Sequence, residues 1–349
     1  MRSSSVLPLL LAALLPIALA GCDLLGAEDD ASAPVTSGVY VANQGAFGDG
    51  NGSVSVYSPA DQTTNDDAIR GLGSIVQGLA LHNDQLYLTA NTGGRLDVFD
   101  AIDQSQTGQL AGFSGPRYLA FADETAFLTD QSFSGPSSVH VLDVSGPSPE
   151  RDTTLDVPGT PEGITIAGDR MYAALGGFSD TTLVATFPST APSEAETIDV
   201  GCAPRFVLAD RQNEVFAVCS NAPEVVVLDG ATGDEHTRLD LPDTPSTAGP
   251  GQTAFFAPSA EELYVVVNQN RLTRINTASN TVETTLGPLD GAPIGAVGYD
   301  AVRQELYVGR VPGFSEQGTV TIHERDGSNT GSFEAGVAPT YIDFRRVEE

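Results

Sequence analysis

The feature that most constrains this chain is self-similarity with a period of about 44 residues. Short alternating strands, each carrying one aromatic, recur from Gly38-Val-Tyr-Val-Ala-Asn43 to Glu305-Leu-Tyr-Val-Gly-Arg310. The aromatics Tyr40, Tyr87, Phe127, Tyr172, Phe216, Tyr264 and Tyr307 stand 47, 40, 45, 44, 48 and 43 residues apart. A Gly, Ser or Asn-rich loop and a second alternating strand follow each one, as at Ser53–Tyr57, Arg95–Phe99 and Glu224–Leu228. A strand often opened by proline precedes it, at Pro116, Pro161, Pro204, Pro293 and Pro339. A weaker fourth strand, such as Thr197–Val200, closes the unit, and no helical periodicity interrupts the series. Four short strands per unit is the arithmetic of a propeller blade.

The chain ends are complementary. The first unit lacks its opening strand, and Pro339-Thr-Tyr-Ile-Asp-Phe344 is an opening strand with no unit after it. Pairing the two closes blade one and removes an exposed sheet edge. The sequence therefore predicts an all-β chain over residues 36–349, a seven-bladed β-propeller of four-stranded antiparallel blades closed by its C-terminal strand. An open β-solenoid would leave the surplus and the deficit unexplained.

Residues 1–21 have the form of a secretion signal: Arg2, a serine run, then an apolar stretch from Val6 to Leu19 too short to span a bilayer. Leu19-Ala20-Gly21-Cys22 resembles a bacterial lipobox, which makes Cys22 the lipidated first residue of the mature chain. Residues 22–35, with Glu28-Asp29-Asp30, form an expected flexible tether to the membrane. The expected address is the cell envelope, at the outer membrane or the cell surface. Two cysteines then remain, Cys202 and Cys219, in consecutive strands where a disulfide is geometrically possible. The alternative is a reactive or metal-binding pair, which lacks a nearby cation or histidine to lower a thiol pKa.

Charge excludes some partners. The sequence holds 46 acidic residues against 16 basic ones, all arginine, for a formal net charge of −30. Nucleic acid is a poor partner for such a surface, because phosphate neutralisation needs clustered cations. A field of this size is tolerable where salt at molar levels screens it within about 3 Å, so the composition reads as salt-adapted.

Tyr40-Val41-Ala42-Asn43, Val227-Leu228-Asp229 and Ile275-Asn276-Thr277-Ala278-Ser279-Asn280-Thr281-Val282 resemble the YVTN repeat of YncE-like propellers. The loop from Asn43 to Ser53 is similar to the first blade of lipoprotein propellers of this group, some of which capture vitamin B12 for a TonB-dependent transporter. The resemblance implies a seven-bladed fold, a small ligand of the corrinoid type, and a transporter partner in the outer membrane.

Loops joining second to third strands, and those joining blades, share one face of a propeller, where sites usually form. Four of these loops place a phenylalanine among small residues: Phe47, Phe133, Phe178 and Phe314; Phe113, between blades, is a fifth. Such a ring cannot be covered by its own loop, so it packs against adjacent loops or stays available to a ligand. Asn43, Gln44, Asn91, Gln131, Asn221, Asn268 and Gln269 interleave amides with them, a combination suited to a large amphipathic, amide-bearing or sugar-like molecule. Gln77, Arg117, Glu162, Arg205, Gln252, Ile294 and Thr340 align at the start of the innermost strands and are expected at the channel mouth. Arg117 and Arg205 there could hold a phosphate or carboxylate, or be neutralised internally by Glu162 between them.

Catalytic signals are thin. His82, His140, His236 and His323 fall in different units without ligand spacing, and no Ser-His-Asp signature is present. The acidic pairs Asp66-Asp67 and Glu261-Glu262 read as solvated faces. The absence of tryptophan argues against quinoprotein propellers. No catalytic residue and no cofactor is assigned, and the metal ligands stay undefined. The leading expectation is non-enzymatic capture of a small molecule; a metal-dependent lactonase-like hydrolase and a surface scaffold or adhesion module are the rivals.

Overall fold

The computed structural model describes residues 33–348 apart from 191, 194, 248–250 and 258–260, together with Met1. Cys22 and the signal segment lie outside the described residues. The described chain forms 28 strands in seven four-stranded antiparallel sheets, with no helix among the described residues. Six sheets are consecutive in sequence, and the remaining one is the predicted closure. Pro339–Glu348 pairs with Pro34–Asn43, with Tyr40 opposite Asp343 and Val41 opposite Ile342. The molecule is a seven-bladed β-propeller.

The repeated motif folds this way because its strand is covered on both faces. In the second strand of a blade, Val39, Tyr40, Val41 and Ala42 are all buried, whereas most of the outer strand Thr63–Ile69 is exposed. Blades stack face to face, so an apolar run suits the middle of the sheet and a polar one its rim. The repeated aromatic fills the gap between neighbouring blades. Tyr172 is fully buried and its hydroxyl donates to the Gly230 carbonyl in the next blade at 3.0 Å; Tyr40 makes the same kind of bond to Ala101.

The innermost strands that surround the channel are Val76–His82, Pro116–Ala122, Ile164–Ala167, Pro204–Ala209, Ala254–Ala257, Ile294–Asp300 and Pro339–Glu348. They approach closely where a blade carries glycine. A Cβ on Gly78 would sit 2.4 Å from the Arg117 carbonyl oxygen of the next blade. Second-strand threonines fix the spacing: Thr89 Oγ1 donates to the Arg117 carbonyl and Thr129 Oγ1 to the Glu162 carbonyl, each at 2.9 Å. The backbone at the channel mouth is therefore set by bonds between blades before any side chain acts there.

Candidate functional site at the channel mouth

Strand direction puts the loops that carry Phe47, Phe133, Phe178 and Phe314 on one face, and both Pro34 and Glu348 at the opposite one. The four rings are 73%, 87%, 62% and 51% exposed, and among the described residues they are the exposed phenylalanines. They stand in neighbouring pairs, Phe47 with Phe314 on blades one and seven and Phe133 with Phe178 on blades three and four. The pairs lie nearly across the ring from each other. Phe113 takes the packed alternative: its ring is 8% exposed, because Arg151 lies 4.5 Å from its centroid and the His140 ring meets it edge-on at 5.0 Å.

Most of the predicted amides serve the blades instead. Asn43 is fully buried, donating to Ser55 Oγ at 2.9 Å and Ser53 Oγ at 3.2 Å. Gln131 is also buried, and Asn91 donates to the Pro116 carbonyl at 3.2 Å. Asn268 is exposed and takes a left-handed backbone with Gln269, the geometry of a tight hairpin turn. Asn221 is exposed at the loop face while its Oδ1 accepts from the Ala203 amide at 2.8 Å.

The channel mouth is the most organised part of this face. Arg117 Nη2 reaches both carboxylate oxygens of Glu162, at 2.7 and 2.9 Å, and its Nη1 donates to Gln77 Oε1 at 2.9 Å. Both members of the pair are buried. Of the two arrangements open from sequence, internal neutralisation describes Arg117. A bidentate, desolvated pair is geometrically strong but pays most of its Coulomb gain back in lost hydration. Gly177 lies on top of it: a Cβ there would meet Glu162 Cγ at 2.1 Å, so only glycine lets the loop pass.

That close passage delivers Phe178 to both arginines. Its ring centroid is 5.3 Å from Arg117 Cζ and 5.7 Å from Arg205 Cζ. Arg205, 4% exposed, also lies over Phe206 at 5.5 Å. Beside them opens a cavity of about 470 Å³ lined by Phe178, Asp180, Arg205, Ser220, Asn221 and Thr247. Asp180 and Thr247 carry no motif; their only sequence signals are a position in a glycine-rich loop and in the long link between blades five and six.

Two further hollows of about 150 and 260 Å³ among the innermost strands share Gln252, Phe256 and Tyr341. Burial pushes the Tyr118 and Tyr341 hydroxyls and the Asp343 carboxyl above their ordinary ranges. Asp343 accepts from the Leu81 amide at 3.0 Å. The acidic pair at 261–262 is corrected in its second member: Glu262 is buried, held by Tyr264 at 2.7 Å, by Arg274 at 3.6 Å and by Arg325. Cys202 and Cys219 are joined as a disulfide with Cα atoms 5.7 Å apart, which occupies both sulfurs that a metal would need.

A closed ring of seven blades, with its phenylalanine loops on the face opposite Pro34 and Glu348, defines the class as a seven-bladed β-propeller with one elaborated face. Within that class the chain belongs to the family described as a domain of unknown function, DUF5074, whose model matches residues 37–332. No protein of curated function is detectably similar in sequence. Among solved structures, the chain is similar to the periplasmic gluconolactonase PpgL of Pseudomonas aeruginosa, at 17% identity and a TM-score of 0.69 over 89% of this chain and 99% of that one. It is also similar to a functionally unknown protein from Desulfotomaculum acetoxidans DSM 771, at 14% identity and 0.67 over 88% and 99%. Apo AztD from Citrobacter koseri matches at 13% identity and 0.60 over 89% and 99%. At these identities the likeness is one of fold.

Proposed function

We propose that this protein is a lipid-anchored, non-enzymatic propeller of the cell envelope that captures a small molecule on its loop face and passes it to an outer-membrane transporter. The observation that carries the reading is the exposure of Phe47, Phe133, Phe178 and Phe314 on one face of a molecule whose other phenylalanines are buried or half-buried. Burying one such ring completely contributes about 1.5–3 kcal/mol, so a ligand spanning two of them gains useful affinity. An anchor at Cys22 fits this polarity. Residues 22–33 span at most roughly 40 Å and join the propeller on the face opposite the rings, which leaves the loops turned toward the medium.

Corrinoid is the leading ligand, on the resemblance of the Asn43–Ser53 loop and the lipobox; its amide-bearing, partly apolar body suits a face of rings and scattered polar groups. Calorimetric titration of residues 31–349 with cyanocobalamin in high salt tests it. Tight one-to-one binding is expected; no heat, together with no visible chromophore in the purified protein, would remove the corrinoid.

The likeness to a gluconolactonase supports a second reading, lactone hydrolysis in the cavity beside Arg205. Turnover of a lactone panel that stops on chelation and returns with a divalent cation would favour it over capture.

A further inference from the structure

We infer that Arg310 is the cation of a buried site for a small inorganic anion of the chloride type, between blades six and seven. The inference is independent of the capture reading. Arg310 ends the repeated strand of blade seven, where other blades carry neutral residues such as Asn43, Ala90 and Val267, or Asp130 in blade three. Its side chain is 2% exposed. Nε donates to Thr321 Oγ1 at 3.1 Å and Nη1 to the Ala292 carbonyl at 3.3 Å. Nη2 is buried as well and meets no acceptor among the described residues. Two other buried charges are matched: Arg117 by the Glu162 carboxylate at 2.7 Å, and Asp130 by His140 at 3.0 Å and by the Ser114 and Gly115 amides.

A guanidinium taken out of water carries a heavy desolvation penalty unless a counter-charge meets it. Burial lowers its pKa to about 10, which still leaves it protonated at neutral pH. Asp290, the carboxylate that acts on it, is exposed and therefore hydrated. Nor is the guanidinium free to turn toward another partner. His323 Nδ1 donates to the Gly327 carbonyl, so its Nε2 accepts from the Thr321 hydroxyl, whose oxygen in turn accepts from Arg310 Nε. Gly291 covers the group from the solvent side: a Cβ there would stand 3.5 Å from Arg310 Nε, and Gly291 is itself exposed. One residue layer without a side chain thus separates the cation from the medium. The loop-face cavity and the two hollows do not border Arg310, so a monatomic ion suits the place better than an organic acid. The net charge of −30 opposes anion entry in dilute buffer, but molar salt confines that field to about 3 Å and supplies the ion.

The test is urea unfolding of the purified protein as chloride replaces the larger methanesulfonate at a constant ionic strength of about 1 M, which holds screening fixed. One charge-assisted hydrogen bond corresponds to roughly a tenfold factor. Full replacement should therefore lower the unfolding constant about tenfold, as for a site with a dissociation constant of about 0.1 M. Arg310→Met, apolar and of similar length, should lose that response, and Asp290→Asn should strengthen it by removing the opposing carboxylate. Asp290 is exposed, so its variant decides the matter even where Arg310→Met fails to fold. Crystals soaked in bromide should show an anomalous peak within hydrogen-bonding reach of Arg310 Nη2. No chloride response in the wild type, an equal response in Arg310→Met, an unstrengthened one in Asp290→Asn, or no bromide at Nη2 would overturn the site.

Discussion

The Arg117–Glu162 pair illustrates how a single residue is read differently by sequence and by structure. Alignment of the blade starts placed both at the channel mouth, but which arginine Glu162 serves depends on the rotation between blades, which no local pattern encodes. Glu162 is fully buried, so Glu162→Gln should destabilise by about 3–5 kcal/mol by leaving Arg117 uncompensated, read as a lowered denaturant midpoint. His323 makes a second residue-scale prediction. Its ring is buried, bonded to the Gly327 carbonyl and Thr321 Oγ1 at 2.9 Å each, and burial holds its pKa below the ordinary 6.5. A base with a depressed folded pKa gives its full stability above 6.5 and loses it as pH falls through the folded value. Thermal scans of the wild type should therefore fall with acidification below 6.5 more steeply than those of His323→Gln.

Elements were more legible than side-chain surroundings. The strand repeat specified the blades because alternation, aromatic spacing and complementary chain ends all agree on one closure. Loop phenylalanines were legible for a related reason: glycine and serine neighbours leave a ring uncovered by its own loop, as at Phe133, 87% exposed. The reasoning fails where a neighbouring blade supplies the cover, as Arg151 and His140 do for Phe113. It fails also for Asn43, whose amide is taken up by serines of the next strand. The Cys202–Cys219 bridge belongs to this scale, tying the start of one strand to the end of the next within blade five. Seventeen residues separate the two, so replacing both by serine should cost about 3 kcal/mol in the chain-entropy model, measured by denaturation of the non-reduced protein. Equal midpoints for wild type and variant would show that the blade holds its register without the bridge.

At the scale of the whole molecule, one closed ring separates the face that holds Pro34 and Glu348 from a face of exposed rings, and the charge surrounds both. Of 46 carboxylates few can be paired by 16 arginines, so the folded state repels itself in dilute buffer. The melting temperature should rise as salt increases from about 0.1 M, where charges interact over about 10 Å, to about 1 M, where they interact over about 3 Å. A flat dependence would show that the acidic surface is not a burden on the fold. The central claim is that the four-ring face is where the ligand binds, and its most direct measurement is cyanocobalamin titration of the variant with Phe47, Phe133, Phe178 and Phe314 all replaced by alanine. These rings are exposed, so the variant should keep its fold, and affinity should fall by about tenfold or more if the ligand covers the equivalent of one ring and by about 100-fold or more if it covers two. Wild-type affinity in that variant would contradict the account.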